Sequence, residues 1–170
     1  MGAKMRVYLG LALLGATFSV SLAVSLPSYA EQTQLDKAQN DQMQFDQALA
    51  TELGADDYGM KQYVMAFLKR GPNRDQDAKE ANALQAAHLA NIGRLAKQGK
   101  LVLAGPFLDD GELRGIYIFN VTSVKEAEEL TASDPAIQAG RLVMELHPWY
   151  GSAALMQVTS THGRIAKKSM

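Results

Sequence analysis

One histidine stands where a helix should be apolar. The stretch Gln85 to Phe107, QAAHLANIGRLAKQGKLVLAGPF, reads as the second half of an amphipathic helix, a stop at Gly99, a short strand and a Gly-Pro turn. At helical spacing Leu84, His88, Ile92 and Leu95 share one face, so the imidazole is directed at the core. An imidazole titrates near neutral pH, and one held in a partly buried place can take up or return a proton as general base or acid. The chain has no cysteine, which excludes a thiol nucleophile, a disulfide framework and cysteine-based metal sites. With no serine hydrolase motif beside it, His88 suits proton transfer on a small organic molecule: isomerisation, elimination or lactone chemistry. The competing role is structural, a buried ring whose nitrogens are satisfied by local partners.

The remaining candidates have plainer readings beside the chemical ones. Ser133-Asp134-Pro135 has the form of a helix N-cap followed by proline at the first helical position. A cap uses one carboxylate oxygen, which leaves the second for another partner. Gly105 and Pro106 end a strand and are candidate pocket-lining residues. Arg70 and Asn73 lie in the loop after the first strand, near where a pocket mouth would form. Trp149 and Tyr150 are large enough to wall an apolar pocket or to pack in a dimer interface. Asp109 and Asp110 before Gly111 are turn residues, and His162 lies in a polar tail. His88, Asp134 and His147 make a metal set only without any paired ligand spacing, so no metal is expected. Phosphate loops, dinucleotide fingerprints and hydrolase elbows are missing, so no cofactor is expected.

The elements that must position these residues follow in order. Gln62 to Leu68 is a strand, apolar on both faces, closed by the turn Arg70-Gly71-Pro72-Asn73. Asp75 to Gln98 is a long helix. Leu101 to Ala104 and Leu113 to Val121 form a hairpin around Asp109-Asp110-Gly111. Thr122 or Ser123 caps a second helix, with Glu126 placed as in a capping box, running to about Ala132. A short helical turn runs from Asp134 to Gly140, and Leu142 to Leu146 is the last strand, closed by His147. The order β-α-β-β-α-β is the split arrangement of ferredoxin-like α+β folds. Right-handed crossovers place both long helices on one face of the sheet. The other face would then be bare, and whichever set lies there, Tyr63, Met65, Phe67 with Ile116 and Ile118 or Val64, Ala66, Leu68 with Tyr117, Phe119 and Val121, makes too large an apolar patch for a monomer. A homodimer packed sheet on sheet is the expectation.

Length and charge set the surroundings. The chain has 170 residues and a formal net charge of −1, which fits a single domain and gives no ground for a nucleic-acid partner. Residues 1–30 read as a secretory signal peptide: Lys4 and Arg6 lead an apolar run, Pro27 breaks it, and Ser28-Tyr29-Ala30 offers a cleavage site after Ala30. The expected product is periplasmic or secreted, with no stable membrane anchor. Residues 31–58 read as a flexible polar linker and a short helix carrying Phe45, Leu49 and Leu53, stopped by Gly54. The domain proper is expected over 59–155 and a tail over 156–170.

From Gly59 to Leu155 the chain resembles the YCII-related (YciI-like) family of small dimeric α+β-barrel proteins. The likeness rests on His88-Leu89, Ala104-Gly105-Pro106, Asp134-Pro135 and Ala139-Gly140, in that order. It implies a His-Asp pair proposed as a catalytic dyad, here His88 and Asp134, in a barrel related to muconolactone isomerases, dehydrochlorinases and small oxygenases. Most members of the family are expected to be shorter and cytoplasmic. Leu53-Gly54-Ala55-Asp56 and Pro148 to Leu155 resemble an exported subgroup instead.

Overall fold

The computed structural model describes residues 28–42 and 44–168. Of the signal peptide expected over residues 1–30, residues 1–27 lie outside the described ones. Two units divide the chain, up to Phe45 and from Asp46 onward. The first contains helix α1, Tyr29–Gln42. Its described side chains are exposed, and the expected flexible spacer is here helical. Local bonds account for it: Glu31 accepts from Ser28, and Thr33 back-bonds to the Tyr29 carbonyl. Among the described residues no helix is long and apolar enough to cross a membrane.

The second unit is the α+β domain. Its elements are α2 (Gln47–Leu53), β1 (Met60–Arg70), α3 (Ala78–Lys97), β2 (Leu101–Pro106), β3 (Leu113–Phe119), α4 (Val124–Thr131), α5 (Pro135–Gln138), β4 (Leu142–Ser152), a 3-10 turn (Ala153–Gln157) and α6 (Val158–Ile165). The four strands form one antiparallel sheet in the order β2-β3-β1-β4, the ferredoxin-like arrangement the βαββαβ pattern predicts. Val64, Ala66, Leu68, Tyr117 and Phe119 alternate onto one face, where Leu95 and Ile92 of α3 and Ala127 and Leu130 of α4 close the main core. Both long helices therefore cover the same face.

Side-chain caps set most helix starts. Asp46, Asp77 and Ser123 accept from the backbone N–H groups of Leu49, Glu80 and Glu126. Only half of the expected capping box forms, because the Glu126 carboxylate is paired with Lys100 at 2.8 Å.

Two expectations change at the C-terminal end. The last strand does not stop at His147; β4 runs on to Ser152 and stays paired with β1 through Met60. Pro148 sits inside it opposite Val64, which a central strand would not tolerate, but β4 is an edge and its outer N–H groups have no ladder partner to lose. The sheet face away from α3 and α4 is also not wholly bare. Beyond Ser152 the chain turns over it, and Leu155 and Met156 pack with Tyr63, Val102, Ile118 and Trp149 in a second small core. The rest of that face carries Met65, Phe67, Ile116 and Val143 beside a charged trio in which Glu145 bonds both Lys69 and His147.

Candidate active site

His88 is placed by α3 and Asp134 by α5, and the two meet. His88 is one of three buried residues of α3, with Asn91 and Leu95. Asn91 also accepts from Ser133, and Arg94 donates to both, which ties α3 to the segment leading into α5. Asp134 follows directly and divides its carboxylate. Oδ1 accepts the Ala136 N–H at 2.9 Å as the cap of α5, and Oδ2 lies 2.7 Å from His88 Nδ1. His88 is 7% exposed and Asp134 0%.

That burial separates Asp134 from the other caps. Asp46, Asp77 and Ser123 do the same backbone work while exposed. Taking a carboxylate out of water costs several kcal/mol unless it is well paired, so capping alone does not explain its depth. The pairing also fixes the ring. A carboxylate can only accept, so Nδ1 carries the proton and donates to Oδ2, leaving the Nε2 lone pair free to accept.

What faces Nε2 is Tyr117, a residue sequence reasoning treats only as an apolar strand position. Its hydroxyl lies 3.3 Å from Nε2 and its ring stacks on the imidazole at 6.1 Å with a 19° tilt. With Nδ1 protonated, the tyrosine O–H donates to Nε2. Burial and then the charge of Asp134 push the Tyr117 phenol well above its ordinary pKa, so it remains a donor at any physiological pH. The signal was present in the sequence: a tyrosine on the core side of a strand needs a partner for its hydroxyl.

His88 and Tyr117 line a cavity of about 390 Å³ between α3 and the sheet. Leu68, Leu89, Ile92, Ala104 and Leu142 make its apolar wall, Gly105 and Pro106 its β2 side, and Arg74, Arg114 and Arg141 its cationic part. A clamp sets two of the arginines. Gly71 donates to the Arg141 carbonyl, Asn73 to those of Gly140 and Ala139, and Arg74 to that of Arg141. Gly71 has no room for a side chain, since a Cβ would sit 2.2 Å from the Gly140 oxygen, and Gly140 itself is left-handed at φ +68°. Asn73, read from sequence as a loop residue near the mouth, is thus a brace.

Two expected lining residues fall elsewhere. Trp149 pairs with Tyr63 across β1 and β4, and strand alternation sends both to the opposite face, where Trp149 walls a smaller cavity with Gln62 and Tyr150. Arg70 turns toward the β2–β3 loop, 3.8 Å from Glu112 and bonded to the Asp110 carbonyl, and does not line the larger cavity. His147 is on that opposite face too, edge-on to Phe67, so it does not converge with His88 and Asp134. Among the described residues no cluster of three or more histidine or acidic side chains has metal-binding geometry.

A ferredoxin-like α+β domain with a buried imidazole–carboxylate pair on a cavity wall is the class these observations define. The profile of the YCII-related domain matches residues 63–150, and the chain belongs to that family. Among solved structures it is similar to 5-chloro-2-hydroxyhydroquinone dehydrochlorinase (TftG) from Burkholderia phenoliruptrix AC1100, in complex with 2,5-dihydroxybenzoquinone. The identity is 21% and the TM-score 0.39, over 51% of this chain and 92% of that one. No protein of curated function matches the chain.

Proposed function

We propose that the domain is a cofactor-independent acid–base enzyme acting on a small organic molecule, as an isomerase or an elimination-type lyase. The observation that carries the reading is the 2.7 Å contact of His88 Nδ1 with a fully buried Asp134, on the wall of a cavity that admits a ligand. In the step envisaged, Nε2 takes a proton from a carbon next to a carbonyl, and the C–H electron pair moves onto the carbonyl oxygen. Tyr117, released from Nε2, donates to that oxyanion, and Asp134 stabilises the imidazolium. Return of the proton to another carbon completes an isomerisation; loss of a leaving group completes an elimination.

His88→Gln tests it, read by solvent-deuterium incorporation into a panel of small enolisable lactones and acids and by denaturant unfolding. A catalytic role predicts loss of exchange by roughly 10²–10⁴-fold with stability changed by less than about 1 kcal/mol. A structural histidine predicts the reverse: a cost of about 1–3 kcal/mol and undiminished exchange. The second reading, a non-catalytic dimeric module for a small ligand or partner, is favoured by that latter outcome.

Two further parts belong to the same reading. The uncovered part of the sheet face, with Val143 at 42% and Leu113 at 38% exposure, is the surface on which a second copy would pack in a homodimer. A clean monomer by light scattering at micromolar concentration would remove that part. The setting is the cell envelope, after cleavage behind Ala30. Mature protein beginning at Glu31 in a periplasmic extract supports this, and a full-length cytoplasmic product refutes it.

A further inference from the structure

Three guanidinium groups converge on the cavity from three separate segments: Arg74 after β1, Arg114 on β3 and Arg141 before β4. Among the described residues no aspartate or glutamate lines that cavity. Among the described residues none of the three forms an ion pair, whereas Arg70, which lies outside the cavity, has Glu112. Their bonds go to neutral acceptors. Arg74 donates to the Arg141 carbonyl at 3.1 Å, Arg141 to Gln76 Oε1 at 2.7 Å, and Arg114 to the carbonyls of Asp109 and Gly111 at 3.2 Å each. A guanidinium has five N–H donors, so each keeps some free. The charge is local, because the whole chain carries a formal −1.

Like charges gathered around one small volume repel, and Arg74 registers it. Burial, and then the cations Arg141, Arg70 and Arg114, lower its pKa from the ordinary arginine value. An anion placed among them removes the repulsion and takes up the free donors. The planar fork of a guanidinium fits a carboxylate in two parallel bonds. The same cavity is also lined by Leu89, Ile92 and Leu142, which suit a hydrocarbon body.

We propose that the ligand of this cavity is a small carboxylic acid in its anionic form, its carboxylate seated among Arg74, Arg114 and Arg141 and its apolar body directed toward His88. The assignment names the substrate class for the acid–base reading and rests on it for the role of His88, but not for the binding itself. The arginines are binding residues; they take no part in the proton transfer.

The test is calorimetric titration of the full-length mature protein with benzoate, its neutral isostere benzamide, and inorganic phosphate. Benzoate is expected to bind at least tenfold tighter than benzamide and to weaken as salt is raised. Arg114→Met and Arg141→Met should each bring the benzoate-to-benzamide ratio close to one, while unchanged benzamide binding shows that the variant is folded. Equal affinity for benzoate and benzamide, phosphate binding as tight as benzoate, or a ratio unmoved in both variants overturns the assignment. His88→Gln separates this from the catalytic reading. A preference for benzoate that survives alongside undiminished exchange leaves the ligand class standing and removes the catalyst; lost exchange without any preference for benzoate does the opposite.

Discussion

Replacing Asp134 by asparagine isolates what the carboxylate does for the ring from what it does for the helix. The asparagine carbonyl can still accept the Ala136 N–H, so α5 keeps its cap. Its amide, in the place of Oδ2, is a donor and meets Nδ1 at hydrogen-bond distance. Two donors cannot face each other, so Nδ1 must give up its proton and the ring takes the Nε2–H form, with the Tyr117 oxygen accepting in turn. His88 and the new amide stay paired, the Tyr117 O–H turns toward the cavity it lines, and one buried charge is gone, so stability should change by about 1 kcal/mol or less. Activity should not survive, because the lone pair that takes the proton is now occupied; the corresponding change in hydrolase triads costs roughly 10⁴-fold. Asp134→Ala is the contrast. It loses the cap, about 1 kcal/mol, and leaves the Nδ1 proton without an acceptor, about 1–3 kcal/mol, for a total near 2–4 kcal/mol. Urea unfolding measures the two costs, and long-range ¹H–¹⁵N spectra of the His88 ring report which nitrogen is protonated without any substrate. The same tautomer in wild type and Asp134→Asn would refute the arrangement.

Tyr117 supplies a pH prediction whose sign follows from its raised pKa. The unfolded phenol ionises near pH 10 while the folded one holds its proton, so the stability it contributes is complete below that pH and is lost as pH rises past it. The stability difference between wild type and Tyr117→Phe should therefore fall from about pH 9 to about pH 11, and a difference constant with pH would contradict the burial of that hydroxyl. On the other face, Phe67→Glu puts a charge in the middle of the proposed dimer contact and should raise its dissociation constant by roughly a hundredfold. Sedimentation at two or more concentrations reads that shift, and an unchanged association would move the interface elsewhere.

The order of elements was legible because the runs are distinct: β1 is a short continuous apolar run closed by a Gly-Pro turn, and α3 repeats Leu84, His88, Ile92 and Leu95 on one side. The inward aim of His88 came from the same count, and the spare oxygen of Asp134 from the chemistry of a cap. Less legible was whatever depends on where the chain goes after a local signal ends. His147-Pro148 looks like a strand terminus, and only the edge position of β4 explains why pairing continues to Ser152. Of the two roles open to Trp149 the larger cavity is the one it does not take, for the same reason, since without the strand there is no alternation to follow. The cover over Tyr63 and Val102 comes from Leu155 and Met156, two apolar residues in a stretch with no long pattern. The arginines escaped notice because each is unremarkable in its own segment, and only the fold makes them neighbours.

Their neighbourhood and the proton-transfer pair share one support. Gly71 and Asn73 hold the Ala139–Arg141 backbone, and Arg141 in turn donates its N–H to the carbonyl of Ala136, the residue whose own N–H is bonded to Asp134. From the end of β1, through the close of α5, to the carboxylate behind His88, the connection is backbone hydrogen bonds, the Asn73 amide and the Asp134 cap. A carboxylate ligand gripped by Arg74 and Arg141 would therefore be held by the same piece of chain that orients the imidazole. The backbone from which the grip and the orienting acid project is then fixed by main-chain hydrogen bonds, and the guanidinium reach sets the remaining distance from anion to base. A methyl group at Gly71 would meet the Gly140 oxygen and push apart the two loops that carry the grip and the orienting acid together, so Gly71→Ala should disturb the site from a distance.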